Sequence, residues 1–172
     1  MKGLDLYFIS WVFSNLAGLL ILFAAWKNHK IGRATFALLF GWAAWKNLTV
    51  VSETPDLYIE FAFLAIPFYH DFILGWFSDH IAPVVSIIAI GQALIAFGMF
   101  MKGYWVKIAC IGAIVFLIAV SPLGVGSAFP FPIVAAFAAY LILKGQDEIS
   151  YLWSLQKPMN RSSLVKKYLH HS

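Results

Sequence analysis

Charge is scarce in this chain. Asp, Glu, Lys and Arg together make up 12% of its 172 residues, about half of the roughly 25% in an ordinary soluble domain. That shortage excludes a soluble globular fold. Cysteine is nearly absent too: the single Cys110 rules out an intrachain disulfide framework, a CxxC redox pair and a cysteine-based zinc site. Within its apolar run it reads as a small buried hydrophobe. Nucleotide and hydrolase signatures are missing. The stretch SPLGVGS at 121–127 lacks the GK[ST] ending of a phosphate loop, and Ser127 has no GxSxG setting. Gly124, Gly126, Pro130 and Pro132 instead mark a tight reversal. A haem between two imidazoles at one depth is not offered by His29, His70 and His80, and the spacing of the last two is not a zinc pattern.

What the chain has is apolar surface. Hydrophobic residues reach 62%, with 16 Phe and 7 Trp, and the mean hydropathy is +0.81. About 20 such residues in a row cross the hydrocarbon of a bilayer. The expected fold is therefore all-α, an integral membrane helical bundle. Spans are predicted at 4–26, 34–51, 82–101, 104–121 and 128–144. The first is too long for a signal-peptide core and carries no convincing cleavage site, so it is expected to remain in the mature chain.

The stretch 57–77 (LYIEFAFLAIPFYHDFILGWF) is long enough to cross, but it carries Glu60, His70 and Asp71 and is interrupted by Pro67. Basic residues decide its status, because short loops retain Lys and Arg on the cytoplasmic side. Five spans with the N-terminus outside put Lys27, Lys30, Arg33, Lys102, Lys107, Lys144, Lys157, Arg161, Lys166 and Lys167 inside, ten of the twelve. Six spans export Lys27, Lys30 and Arg33. Residues 57–77 are accordingly expected to form an embedded or re-entrant helical segment on the outer face, split at Pro67. Its broken backbone must be covered by protein or face water. The net charge of +4 sets topology and does not point to nucleic acid.

Interfacial aromatics are expected at Trp26 and Trp105 inside, and at Trp45, Tyr58 and Trp76 outside. Close helix packing is expected where small residues recur: Ser10, Ser14 and Gly18; Ala89 with Ala93; Gly91 with Gly98; Ala135 with Ala139. Residues 1–145 form the membrane domain. Residues 146–172 read as a cytoplasmic amphipathic tail, with Leu164, Val165, Tyr168 and Leu169 beside Arg161, Lys166 and Lys167 suited to an anionic membrane surface.

Lys46 is the most informative residue for function. It falls inside the second span, where a lysine is costly unless it snorkels or finds a partner, and it lies about 8 Å below the outer end of that helix. Snorkelling is one reading. The other pairs it with Glu60 or Asp71, closing a polar ligand-binding pocket with Asn47, His70 and Gln92. His70 beside Asp71 holds the elements of proton chemistry, although the bland alternative is that both hydrate an interfacial turn.

From Arg33 to Leu143 the chain resembles the DoxX-like small membrane proteins, a four-helix group of the bacterial membrane, with one additional N-terminal span. The resemblance lies in RATFALLFGWAAWKN, the outer embedded segment, IGQALIAFGMFMKG and the turn PLGVGSAFP, with Arg33 and Lys46 as matching positions. It implies a bacterial inner-membrane location. Some relatives are subunits of thiosulfate:quinone oxidoreductase or associate with redox enzymes. The chain itself offers no residues to hold a metal or flavin, and no catalytic residue is assigned. The resulting expectation is a multi-pass protein that binds a small hydrophobic molecule, a quinone or a lipid, or supports a membrane complex. The alternative is the membrane subunit of a quinone-linked oxidoreductase working with a redox partner.

Overall fold

The computed structural model describes residues 4–145 and Leu152; apart from Leu152, the expected amphipathic tail at 146–172 lies outside the described residues. Helix α1 (Leu4–Lys27) stops at Asn28, whose side chain accepts hydrogen bonds from the backbone N–H groups of Lys30 and Ile31 and so starts α2 (His29–Glu53). Asparagine is favoured at such a position because its oxygen satisfies donors that have no partner within the helix. Gly32 lets the two helices meet just beyond this corner: an added Cβ would sit 2.7 Å from the Ala25 backbone.

After α2 the chain turns at Pro55 into a 3₁₀ stretch, Pro55–Phe63, breaks at 64–66, and resumes as α3 (Pro67–Phe72). Pro67 at the first turn explains the break, since the residue before a proline is driven into extended backbone and Ile66 has ψ 158°. A wide turn at Ile73–Phe77, kinked at Gly75, leads through Ser78–His80 into α4 (Ile81–Phe100). Helix α5 (Tyr104–Val120) follows after a three-residue turn, and a 3₁₀ reversal at Ser121–Ser127 leads to α6 (Phe131–Lys144).

Five long helices close a ring in which α1 packs on α2, α2 on α4, α4 on α5, α5 on α6, and α6 back on α1. The N-terminal helix is thus part of the bundle's wall. Phe36, Phe40, Met99, Val106, Cys110 and Ile142 fill the centre, while Leu6, Phe13, Leu38, Ile87, Leu94 and Val115 point outward and are largely exposed. An apolar exterior of this kind belongs against lipid. Among the described residues, four stretches are long and apolar enough to cross a membrane: Asp5–Lys27, His29–Glu53, Pro67–Phe100 and Tyr104–Ser127. The fifth expected span is shorter, with α6 holding 14 residues, about 21 Å of helix.

The small-residue faces are realised in part. Gly98 meets α5 so closely that a Cβ would lie 2.7 Å from that of Ala109. Ala89, Ala135 and Ala139 are fully buried, and Gly18 lies under the Phe131 ring. Ala93 is exposed and Gly91 has open space around it. The reason is helical drift: at 3.6 residues per turn the buried stripe of α4 runs Val85, Ala89, Gln92, Ala96, Met99 and leaves 93 and 91 to either side.

Candidate functional site

Residues 55–80 and the 121–130 reversal together cap the end of the bundle opposite the α1–α2 and α4–α5 corners. They are joined through the backbone: Ile66 N–H donates to Pro122 O at 3.1 Å. Gly124 is required at this junction, because its φ is +62° and a Cβ would come within 2.6 Å of Leu64 O. From α1, Trp11 Nε1 donates at 2.6 Å to Phe129 O, a carbonyl of irregular backbone in apolar surroundings, and Asn15 Nδ2 donates at 3.0 Å to Ala128 O, which also accepts from Phe131 N–H.

Beneath the cap lie two cavities. The central one, about 470 Å³, sits between α2, α4, α5 and α6, and its walls include Phe40, Ile73, Val85 and Phe116. The lateral one, about 410 Å³, lies between α1, α2 and the cap and is lined by Ser10, Ser14, Lys46 and Glu60 among others. Asn47, Tyr58, Phe61 and Gly126 line both and form the partition. Gly126 is there because Phe61 leaves no room: a Cβ would sit 2.5 Å from its ring.

A chain of polar groups crosses this partition. Tyr58 donates to Asn47 Oδ1 at 2.8 Å, and Asn47 Nδ2 donates to Gln92 Oε1 at 2.8 Å. Gln92 is 3% exposed, one of two buried polar residues among those described. Tyr69, also on the central cavity, donates to Ala119 O at 2.6 Å.

The expected site residues are therefore divided. Asn47 and Gln92 are hydrogen-bonded on the central cavity, and Lys46 shares the lateral cavity with Glu60. No ion pair joins Lys46 to Glu60 or Asp71 among the described residues; the Lys46 ammonium lies 5.6 Å from the Trp45 ring, as a snorkelling lysine does at an aromatic boundary. His70 and Asp71 line neither cavity. They pair with each other, Nδ1 to Oδ1 at 2.9 Å, on the exposed side of α3.

Tyr58 was expected among interfacial aromatics. It is half-buried in the cap, where its hydroxyl donates to Asn47 Oδ1. Trp26, Trp45, Trp76 and Trp105 do stay outward. Arg33 is the residue whose place the pattern least announces. It is 2% exposed, and its guanidinium donates to Met99 O through Nε at 2.9 Å and Nη2 at 2.8 Å, and to Met101 O. Its proximity in sequence to Lys27 and Lys30 suggested only a topology signal.

Compared with protein-family models, curated sequences and solved structures, the chain matches none.

Proposed function

We propose that this chain is a five-crossing membrane protein, N-terminus outside, whose central cavity binds a small hydrophobic molecule, a quinone or a lipid, in the outer half of the bundle. The carrying observation is the cavity itself: about 470 Å³ of largely apolar space with one hydrogen-bonded polar chain at its wall. Ligand sites of about 300–1,000 Å³ have this make-up, apolar walls with few placed polar groups. Basic residues at the α1–α2 and α4–α5 corners, Lys27, Lys30, Lys102 and Lys107, support the orientation. On this reading α6 completes the fifth crossing with its outer end recessed below the cap.

Mass spectrometry of the gently purified protein tests the proposal. The expected result is one co-purifying apolar molecule per chain, lost when Ala43→Phe fills the cavity. A wild type that carries none, under conditions where Ala43→Phe only stabilises the fold, contradicts it. The DoxX-like alternative, a subunit of a quinone-linked oxidoreductase, draws on the sequence resemblance. It would place Lys46, His70 or Asp71 at the quinone headgroup; Lys46 lines the lateral cavity, whereas His70 and Asp71 line neither cavity, and stoichiometric co-purification of a redox subunit would favour it.

A further inference from the structure

The polar chain at the central cavity has a direction. The Tyr58 hydroxyl lies 2.8 Å from Asn47 Oδ1 and 3.4 Å from the Asn47 main-chain carbonyl. Both are acceptors, so the phenolic proton points toward Asn47. Burial pushes the phenol pKa up, which keeps that proton in place. With Oδ1 turned to Tyr58, Asn47 must turn Nδ2 toward Gln92 and donate to Oε1. The Gln92 oxygen is then occupied, and its NH₂ group meets no protein acceptor among the described residues.

That amide is not sealed off. Among the described residues the only fully enclosed polar side-chain atom without a partner is His29 Nδ1, so Gln92 Nε2 touches open space. Gln92 itself is 3% exposed and, of the two cavities, lines only the central one, which is the opening we assign to its amide. A bare donor in apolar surroundings is unfavourable until an acceptor reaches it.

We propose that the central cavity selects an apolar molecule bearing a carbonyl or equivalent acceptor oxygen, and that Gln92 donates to that oxygen while Asn47 and Tyr58 hold the amide in its donor orientation. This rests on the ligand-binding reading above and adds the functional group that the ligand must carry. A hydrocarbon fills the same volume and leaves the amide bare. A ketone of equal length fills the volume and satisfies it, and one such hydrogen bond is worth about tenfold in affinity.

Thermal unfolding of the full chain in detergent, titrated with 2-tridecanone or with tridecane, tests this, because a ligand that binds the native state raises the transition with its concentration. For the wild type the ketone is expected to bind about tenfold tighter than the alkane. Gln92→Leu should bring the two within about twofold while still binding the alkane, and Tyr58→Phe, which frees Asn47 to rotate, should fall between. A merely structural role for these residues would lower both affinities together and leave their ratio unchanged, which would overturn the proposal. Equal binding of ketone and alkane by the wild type also overturns it, without need of any variant, and leaves the cavity as a binding site. Failure of both compounds to move the wild-type transition overturns the ligand-binding reading as well.

Discussion

Replacing Arg33 by alanine removes the donor that closes the C-terminal end of α4. The last carbonyls of any helix lack partners within it, and where they are buried among apolar helices no bulk water replaces them. Here the Met99 and Met101 carbonyls are met by one guanidinium reaching across from α2, with Nε and Nη2 both on Met99 at 2.9 and 2.8 Å and Nη2 on Met101. Arg33 is 2% exposed and Met99 fully buried, so the substitution orphans the Met99 carbonyl, while the carbonyl of the half-buried Met101 keeps some access to solvent. At about 1–3 kcal/mol for a buried unsatisfied group, the Met99 carbonyl alone makes the loss about 1–3 kcal/mol. Lysine keeps the charge favoured at a helix C-terminus but lacks the planar fork, so Arg33→Lys should recover only part of that loss. Reversible denaturant unfolding in mixed micelles measures the difference directly. An Arg33→Ala protein within about 0.5 kcal/mol of wild type, or an Arg33→Lys protein equal to it, would refute the reasoning.

Gly98→Val forces α4 away from Ala109 and should cost about 1–3 kcal/mol, whereas Gly91→Val, where nothing lies within 4 Å, should be tolerated; equal unfolding midpoints would contradict the close contact. Lys46→Met should change stability by no more than about 1 kcal/mol, the worth of an exposed cation–π contact; a loss above about 3 kcal/mol in the same assay would reveal a buried ion pair. Tyr58 should ionise above the ordinary tyrosine value of about 10. Because its folded pKa is raised, it contributes stability that is present below the unfolded pKa and is lost as pH rises through the folded one. Tyrosinate absorbance and unfolding followed from pH 9 upward should therefore show an alkaline destabilisation that Tyr58→Phe reduces, and an identical profile in the variant would count against a buried phenol.

Hydropathy made the long helices legible to within a few residues, because 20-residue apolar runs have little alternative to crossing. Pro67 correctly announced a break within residues 57–77 for a local steric reason. The pocket was legible only where it depended on helix periodicity: Asn47 and Gln92 face one another because each lies on the buried side of a regular helix. Glu60, His70 and Asp71 sit on 3₁₀ and short helical pieces, where direction depends on how the cap docks onto Pro122, and no spacing rule conveys that. Arg33 resembled its neighbours Lys27 and Lys30 in charge; its inward course is fixed by the carbonyls at the end of α4, some 66 residues away.

The arrangement of the five helices with the cap on one face and the basic corners on the other is tested most directly by impermeant maleimide labelling in a Cys110→Ala background. Asp56→Cys, in the cap, should label in sealed right-side-out membranes, while Asn28→Cys and Lys102→Cys, at the two corners, should label only after inversion. Reaction of Asp56→Cys and Lys102→Cys from the same face would contradict the account.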